Sequence, residues 1–80
     1  MSTQTRLDNP LATIGSFNRQ FLLTKKETEA VTHAWQTEQG MTMFHVINAY
    51  TRAAHEGDLT VEEEYRLERI GGIILSMVKS

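Results

Sequence analysis

Cysteine is absent from this sequence of 80 residues, and proline occurs only once. The absence of cysteine excludes a disulfide framework, a thiolate zinc site and a cysteine nucleophile. Long apolar runs are missing too, because runs such as Ile73–Leu75 are far shorter than the roughly 20 residues that span a bilayer. Residues 1–10 contain no apolar segment of the kind that a secretory signal needs, so we expect a cytoplasmic protein.

A concentrated basic stripe is also lacking. The net charge is −2, with residues 1–26 at +3 and residues 27–80 at −5. Proteins that bind duplex DNA by releasing counterions usually gather their lysines and arginines on one surface. Nucleic acid is therefore not the expected partner.

Motifs that carry catalytic or metal chemistry are not found either. His33, His45 and His55 are twelve and ten residues apart, so no two of them lie one helical turn apart as a helical zinc site requires. No serine stands in a GxSxG elbow, and there is no glycine-rich phosphate loop. We therefore expect no enzyme activity, no cofactor and no bound metal.

Capping signals indicate helices. Thr24 and Glu27 have the spacing of a capping box, in which each side chain accepts a hydrogen bond from the other residue's amide. This predicts a helix that begins at Lys25, and Gly40 is expected to supply the left-handed residue that ends it. Thr42 is positioned to cap a second helix.

A third helix follows a short turn. The second helix should end near Gly57, and Thr60 with Glu63 repeats the capping box, which predicts a helix from Val61 to about Val78. The predicted core positions have helical spacing on all three helices. They are Ala30, Val31, Ala34, Trp35, Met43, Ile47, Tyr50, Ala54, Leu67, Ile70, Ile74 and Met77.

These elements predict an all-α fold, a small antiparallel three-helix bundle, because the two marked turns are short. Residues 11–23 form either a fourth short helical element or an extended segment. One domain covers residues 1–80. Residues 1–10 are expected to be a mobile arm, since Pro10 disfavours a helix before it and Asn9 with Pro10 is a turn-starting pair.

Gly71 and Gly72 lie within the third predicted helix, where each glycine costs about 0.5–1 kcal/mol relative to alanine. Close packing against Trp35 or Tyr50 is the simplest explanation. A kink and the close approach of a partner's backbone are the alternatives.

Five carboxylates without an intervening base form what we call the acidic run: Glu56, Asp58, Glu62, Glu63 and Glu64. Three of them fall in the first turn of a predicted helix, where the helix dipole favours acids. One interpretation is a solvated helix N-terminus. The other is an acidic patch that binds a basic surface of a partner protein. Glu63 and Glu64 are expected to face solvent.

Two segments carry a resemblance to a known family. They are Met43–Thr51, with the sequence MFHVINAYT, and Tyr65–Gly72, with the sequence YRLERIGG. Because of these two segments, the stretch from Phe21 to Val78 resembles the C-terminal segment of the phage/plasmid-like proteins of unknown function that prophages and plasmids carry. The resemblance implies a mobile genetic element as the source and brings no functional residue with it.

Small cysteine-free phage proteins without enzymatic motifs often bind and block a host protein. The leading hypothesis is therefore an inhibitor of a host defence complex, of the anti-CRISPR kind, whose acidic run occupies a site on a host protein or ribonucleoprotein. The alternative is a nucleic-acid-binding regulator or accessory protein of phage replication or transcription, with Arg52, Arg66 and Arg69 as its contacts. A homodimer is a further possibility, because so small a core gains from dimerisation.

Overall fold

The described part of the chain folds as four α-helices joined by short turns. The computed structural model describes residues 6–79, and its helices are α1 (Pro10–Gln20), α2 (Lys25–Glu38), α3 (Met43–Glu56) and α4 (Val61–Lys79). α3 packs against both α2 and α4, and α1 contacts α2 and α3. The prediction of an all-α bundle is confirmed, with the ambiguous N-terminal segment forming the fourth helix. Within residues 6–79, no helix has the length and apolar content to cross a membrane.

Side-chain caps fix the start of the helices where the sequence indicates. The Thr24 hydroxyl accepts a hydrogen bond from the amide of Glu27 at 3.1 Å, and the Glu27 carboxylate accepts one from the amide of Thr24 at 2.8 Å. Thr60 and Glu63 make the same reciprocal pair at 3.2 and 2.9 Å. Thr42 caps α3. Both predicted capping boxes are therefore confirmed.

The end of α2 differs from the prediction. The left-handed residue is Gln39, with a φ of 56°, and not Gly40. Gly40 instead lies against the imidazole ring of His45, which fills the space that a side chain at position 40 would need. Close packing, and not backbone conformation, is thus the reason for glycine at this position.

The core lies along α3 and the inner faces of its neighbours. Its buried apolar residues are Ile14, Val31, Ala34, Val46, Ile47, Ala49, Tyr50, Ala53, Ala54, Leu67, Ile70 and Ile74. Most predicted core positions are confirmed, because helical spacing identifies the inward face. Met77 is an exception at 53% exposed. The inward face of α4 continues from Ile70 and Ile74 to Val78, which packs against the core, so Met77 lies beside this face.

A buried tyrosine attaches α1 to the bundle. Tyr50 of α3 has no exposed surface, and its hydroxyl donates a hydrogen bond to Oδ1 of Asn18 at 2.7 Å. The same hydroxyl lies 3.3 Å from the carbonyl oxygen of Ile14. Burial raises the pKa of Tyr50 above its usual range, so the hydroxyl keeps the proton that it donates.

The residues just ahead of α1 are also attached. Pro10 is the first residue of α1, where a missing amide proton costs no helical hydrogen bond, and Asn9 caps the helix with its side chain. Arg6 forms a backbone bridge to Thr42 in the turn before α3. This part of the expected mobile arm therefore belongs to the fold. Residues 1–5 lie outside the described residues.

Gly71 and Gly72 have different surroundings within α4. A Cβ atom at Gly71 would lie 3.1 Å from Cγ2 of Thr51 and 3.7 Å from Cβ of Tyr50. Close packing is therefore confirmed for Gly71, against α3 and not against Trp35. A Cβ atom at Gly72 would meet no atom within 4 Å.

Replacing Thr60 with alanine should destabilise the protein by about 1 kcal/mol, because α4 loses the hydroxyl that accepts from the Glu63 amide. The matched control is Thr37→Ala on the exposed face of α2, where alanine favours the helix and no stability should be lost. Urea unfolding followed by circular dichroism measures both. Equal effects at the two positions would contradict the role of the cap.

Truncating Ile47, Ile70 or Ile74 to alanine should cost about 2–5 kcal/mol, because each of these side chains is buried. The milder changes to valine should cost about 0.5–1.5 kcal/mol and leave enough folded protein to measure. Ile73→Val serves as the control, since Ile73 is 40% exposed. A loss at Ile73 as large as that at Ile70 would show that the assigned faces of α4 are wrong.

Candidate interaction surface

The turn between α3 and α4 brings part of the acidic run against α2. Gly57 ends α3 and donates its amide to the carbonyl oxygen of Ala53 at 3.0 Å. A Cβ atom at Gly57 would lie 2.7 Å from that oxygen and 3.1 Å from Cβ of Ala30, so glycine allows the turn to approach α2 closely. Glu56 and Asp58, on either side of Gly57, are thereby held beside the first half of α2.

A groove results between α2 and this turn, and we call it the acidic groove. Its charged and titratable lining residues are Lys26, Glu29, His33, Glu56 and Asp58. Three of these five side chains are carboxylates. Sequence reasoning missed Glu29, although the predicted antiparallel topology was a signal for it, because this topology places the start of α2 beside the end of α3.

Arg52 binds one carboxylate of the acidic run. Its guanidinium group lies 3.0 Å from the Glu38 carboxylate and 3.3 Å from that of Glu56. The hydrogen bonds to Glu38 and then Glu56 raise the pKa of Arg52 above its usual range. Glu56 is thus partly neutralised within the molecule, although its side chain is still 59% exposed.

Glu63 has a structural role at the start of α4. Its carboxylate accepts hydrogen bonds from the amide of Thr60 and, at 3.3 Å, from the hydroxyl of Thr24. The backbone hydrogen bond with Thr60 is the main cause that lowers the pKa of Glu63, and the charge of Lys26 adds to it. The expectation that Glu63 faces solvent is wrong. These contacts hold the side chain half-buried against α2.

Glu62 and Glu64 lie on different sides of α4, because two residues correspond to a rotation of about 200° around a helix. Glu62 is exposed and lines a small hollow with Thr24, Glu63 and Arg66. Glu64 is half-buried, which contradicts its expected exposure, and lines neither this hollow nor the acidic groove. The acidic run is therefore not one surface, and only its first two members face the acidic groove.

Arg66 is bound within the fold. Its guanidinium group donates to both carboxylate oxygens of Glu27, one of them at 3.2 Å, and to the carbonyl oxygen of Leu22 at 3.0 Å. Glu27 has no exposed surface, so Arg66 neutralises a buried charge. The hydrogen bond to Glu27 raises the pKa of Arg66. Arg66 thus joins α4 to the start of α2 and to the turn before it.

Arg69 differs from the other two arginines of the nucleic-acid hypothesis. It is exposed and forms no ion pair with any residue from 6 to 79. It lines a small pocket together with Arg66, Phe21, Ile70 and Ile73, so the structure brings these two predicted arginines together. The charge of Arg66 is already matched by Glu27, however, which leaves Arg69 as the arginine without an ion pair among the described residues.

The histidines are distributed over separate parts of the bundle. Nδ1 of His45 lies 2.7 Å from the Thr42 hydroxyl, and Nε2 of His55 lies 3.3 Å from the Glu68 carboxylate. His33 lines the acidic groove. In the described part of the chain, no three histidine, aspartate or glutamate side chains are grouped so that they could hold a metal ion.

Comparison with known proteins adds no relative. No family model matches the chain, and no curated protein or solved structure matches it. The resemblance to phage/plasmid-like proteins therefore stays a prediction from the sequence.

Replacing Arg66 with alanine should destabilise the fold by about 1–3 kcal/mol, because the buried Glu27 carboxylate loses its charged partner. The cost falls below that of a fully buried pair because Arg66 itself is 43% exposed. Arg69→Ala is the matched control on the same helix and should change the free energy of unfolding by less than about 0.5 kcal/mol. Equal losses in urea unfolding would show that the pair with Glu27 does not hold α4 to α2.

Proposed function

We propose that this protein is a small non-enzymatic interaction module that binds a basic surface of a partner protein through the acidic groove. The observation that carries the proposal is the position of Glu29 and Asp58. Both are exposed, both line the groove, and neither forms an ion pair with another described residue. Two carboxylates without an ion pair, in a groove where carboxylates outnumber the single lysine, Lys26, are suited to hold lysine or arginine side chains of a partner.

Two other acids of the acidic run are engaged within the molecule, which leaves Glu29 and Asp58 as the proposed contacts. Glu63 is occupied by its cap and Glu56 by Arg52, so neither is fully available to a partner. Asp58 lies in the turn, where it caps nothing among the described residues. Asp58 is thus not one of the three first-turn glutamates to which the interpretation as a solvated helix N-terminus applies.

The proposed partner is a bacterial defence complex of the CRISPR type, and the proposed place of action is the cytoplasm of the host. Such complexes hold nucleic acid in positively charged channels, and an acidic groove can compete for such a surface. The sequence resemblance to phage- and plasmid-borne proteins supports this class of target. Nucleic-acid binding by the protein itself is the weaker alternative, since Arg52 and Arg66 are engaged in ion pairs.

The test measures inhibition of target-DNA cleavage by purified guide-loaded effectors of the single-protein and multi-subunit kinds, together with direct binding to each. The variant Glu29→Lys/Asp58→Lys should weaken the complex by about 1–3 kcal/mol, or roughly 5- to 150-fold, and the wild-type affinity should fall with added salt. The control Asp8→Lys/Glu68→Lys changes the net charge equally but lies outside the groove, and it should keep most of the affinity.

Two results would contradict the proposal. If no effector is bound or inhibited, the proposed target class is wrong. If both double variants bind an effector as tightly as the wild type, the acidic groove is not the contact. In the second case a short DNA duplex, with Arg69→Ala as the variant, tests the nucleic-acid alternative.

A further inference from the structure

The outer face of α4 carries side chains that the fold of the single chain does not use. Its residues follow one another at alternating spacings of three and four, which is the spacing of a helix–helix seam. They are Glu62, Tyr65, Arg69, Gly72, Ser76 and Lys79, and all six are exposed. Tyr65 is 74% exposed, although a tyrosine of a small bundle usually buries much of its ring.

Gly72 is the second observation on this face. Glycine in the interior of a helix is unfavourable relative to alanine, and Gly71 is explained by its contact with Thr51 of α3. Gly72 has no such contact, since a Cβ atom there would meet nothing within 4 Å. α4 continues through this point, from Val61 to Lys79. The open space at Gly72 leaves room for the close approach of another molecule's backbone.

We propose that this face pairs in an antiparallel manner with the same face of a second copy of the chain. A two-fold axis between Arg69 and Gly72 sets the large side chains of one copy opposite the small ones of the other. Tyr65 then lies over Ser76 of the second copy, and Arg69 lies over Gly72 of the second copy. The same axis places Glu62 beside Lys79 of the second copy, at both ends of the interface.

The charges and side-chain sizes on the outer face of α4 indicate that its partner is a second copy of the chain. A two-fold interface requires one surface that is complementary to itself, and the acid at one end and the base at the other meet that requirement. A parallel pair would instead set Glu62 against Glu62 and Lys79 against Lys79, which is repulsive at both ends. The proposed dimer is independent of the proposed function, because it leaves Glu29 and Asp58 uncovered by the seam residues.

Sedimentation equilibrium from micromolar to millimolar protein tests the proposal, and we expect a reversible monomer–dimer equilibrium for the wild type. Glu62→Lys and Lys79→Glu should each weaken dimerisation by about tenfold or more, because each sets like charges at both ends of the interface. An equimolar mixture of these two variants should form a heterodimer with opposite charges at both ends. The double variant Glu62→Lys/Lys79→Glu should likewise regain the wild-type affinity.

Gly72→Leu separates the interface from the stability of the monomer. Leucine is a better helix former than glycine and has open space in the single chain, so thermal unfolding should occur at a higher temperature while dimerisation is lost. Ser76→Ala keeps a small side chain in the seam and should still dimerise. A wild type that stays monomeric throughout the range overturns the proposal, and so does a dimer that survives both Gly72→Leu and the single charge reversals.

Discussion

A carboxylate with no contact to water lies where α2 begins. Glu27 closes the capping box with Thr24 and at the same time binds Arg66 of α4, so a single side chain fixes both a local and a long-range feature. Because an unpaired buried carboxylate is costly, the pair with Arg66 favours the position of α4 beside the start of α2. The turn at Leu22 is fixed by the same guanidinium group. The pair also brings two helix N-termini together, and the carboxylates of Glu27 and Glu63 offset the positive ends of both helix dipoles.

The features that the sequence predicts well are those determined within about one helical turn. A capping box joins residues three positions apart, so Thr24 and Thr60 mark the starts of α2 and α4 without knowledge of the rest of the chain. The inward faces follow from the helical period in the same way. The second role of Glu27 was not accessible, because its partner lies 39 residues away. At the end of α4 the helical period allows either Met77 or Val78 to face inward, and contact with the core, which the sequence does not show, selects Val78.

The candidate site shows the same division between local and distant causes. Five acids close in sequence suggest one patch. However, Glu62 and Glu64 lie on different sides of α4, and the carboxylate of Glu63 is held by its capping hydrogen bond with Thr60. Glu29 joins the groove only through the antiparallel arrangement of α2 and α3. The exposed acids and the outer face of α4 thus form two surfaces with different chemistry. A groove of carboxylates suits a basic partner, while a self-complementary helix face suits a second copy.

The contacts that attach α1 to the bundle are separate from those that join α2, α3 and α4 to one another. α2, α3 and α4 pack on one another through the core along α3, and the pair between Glu27 and Arg66 joins α4 to the start of α2. α1 depends instead on Ile14, on Asn18 and on the hydroxyl of Tyr50 that reaches them. Separation of α1 therefore leaves a three-helix unit with all its caps and its buried ion pair in place. If α1 separates as a unit of its own, its amides exchange with solvent through a local motion that the amides of α3 do not share.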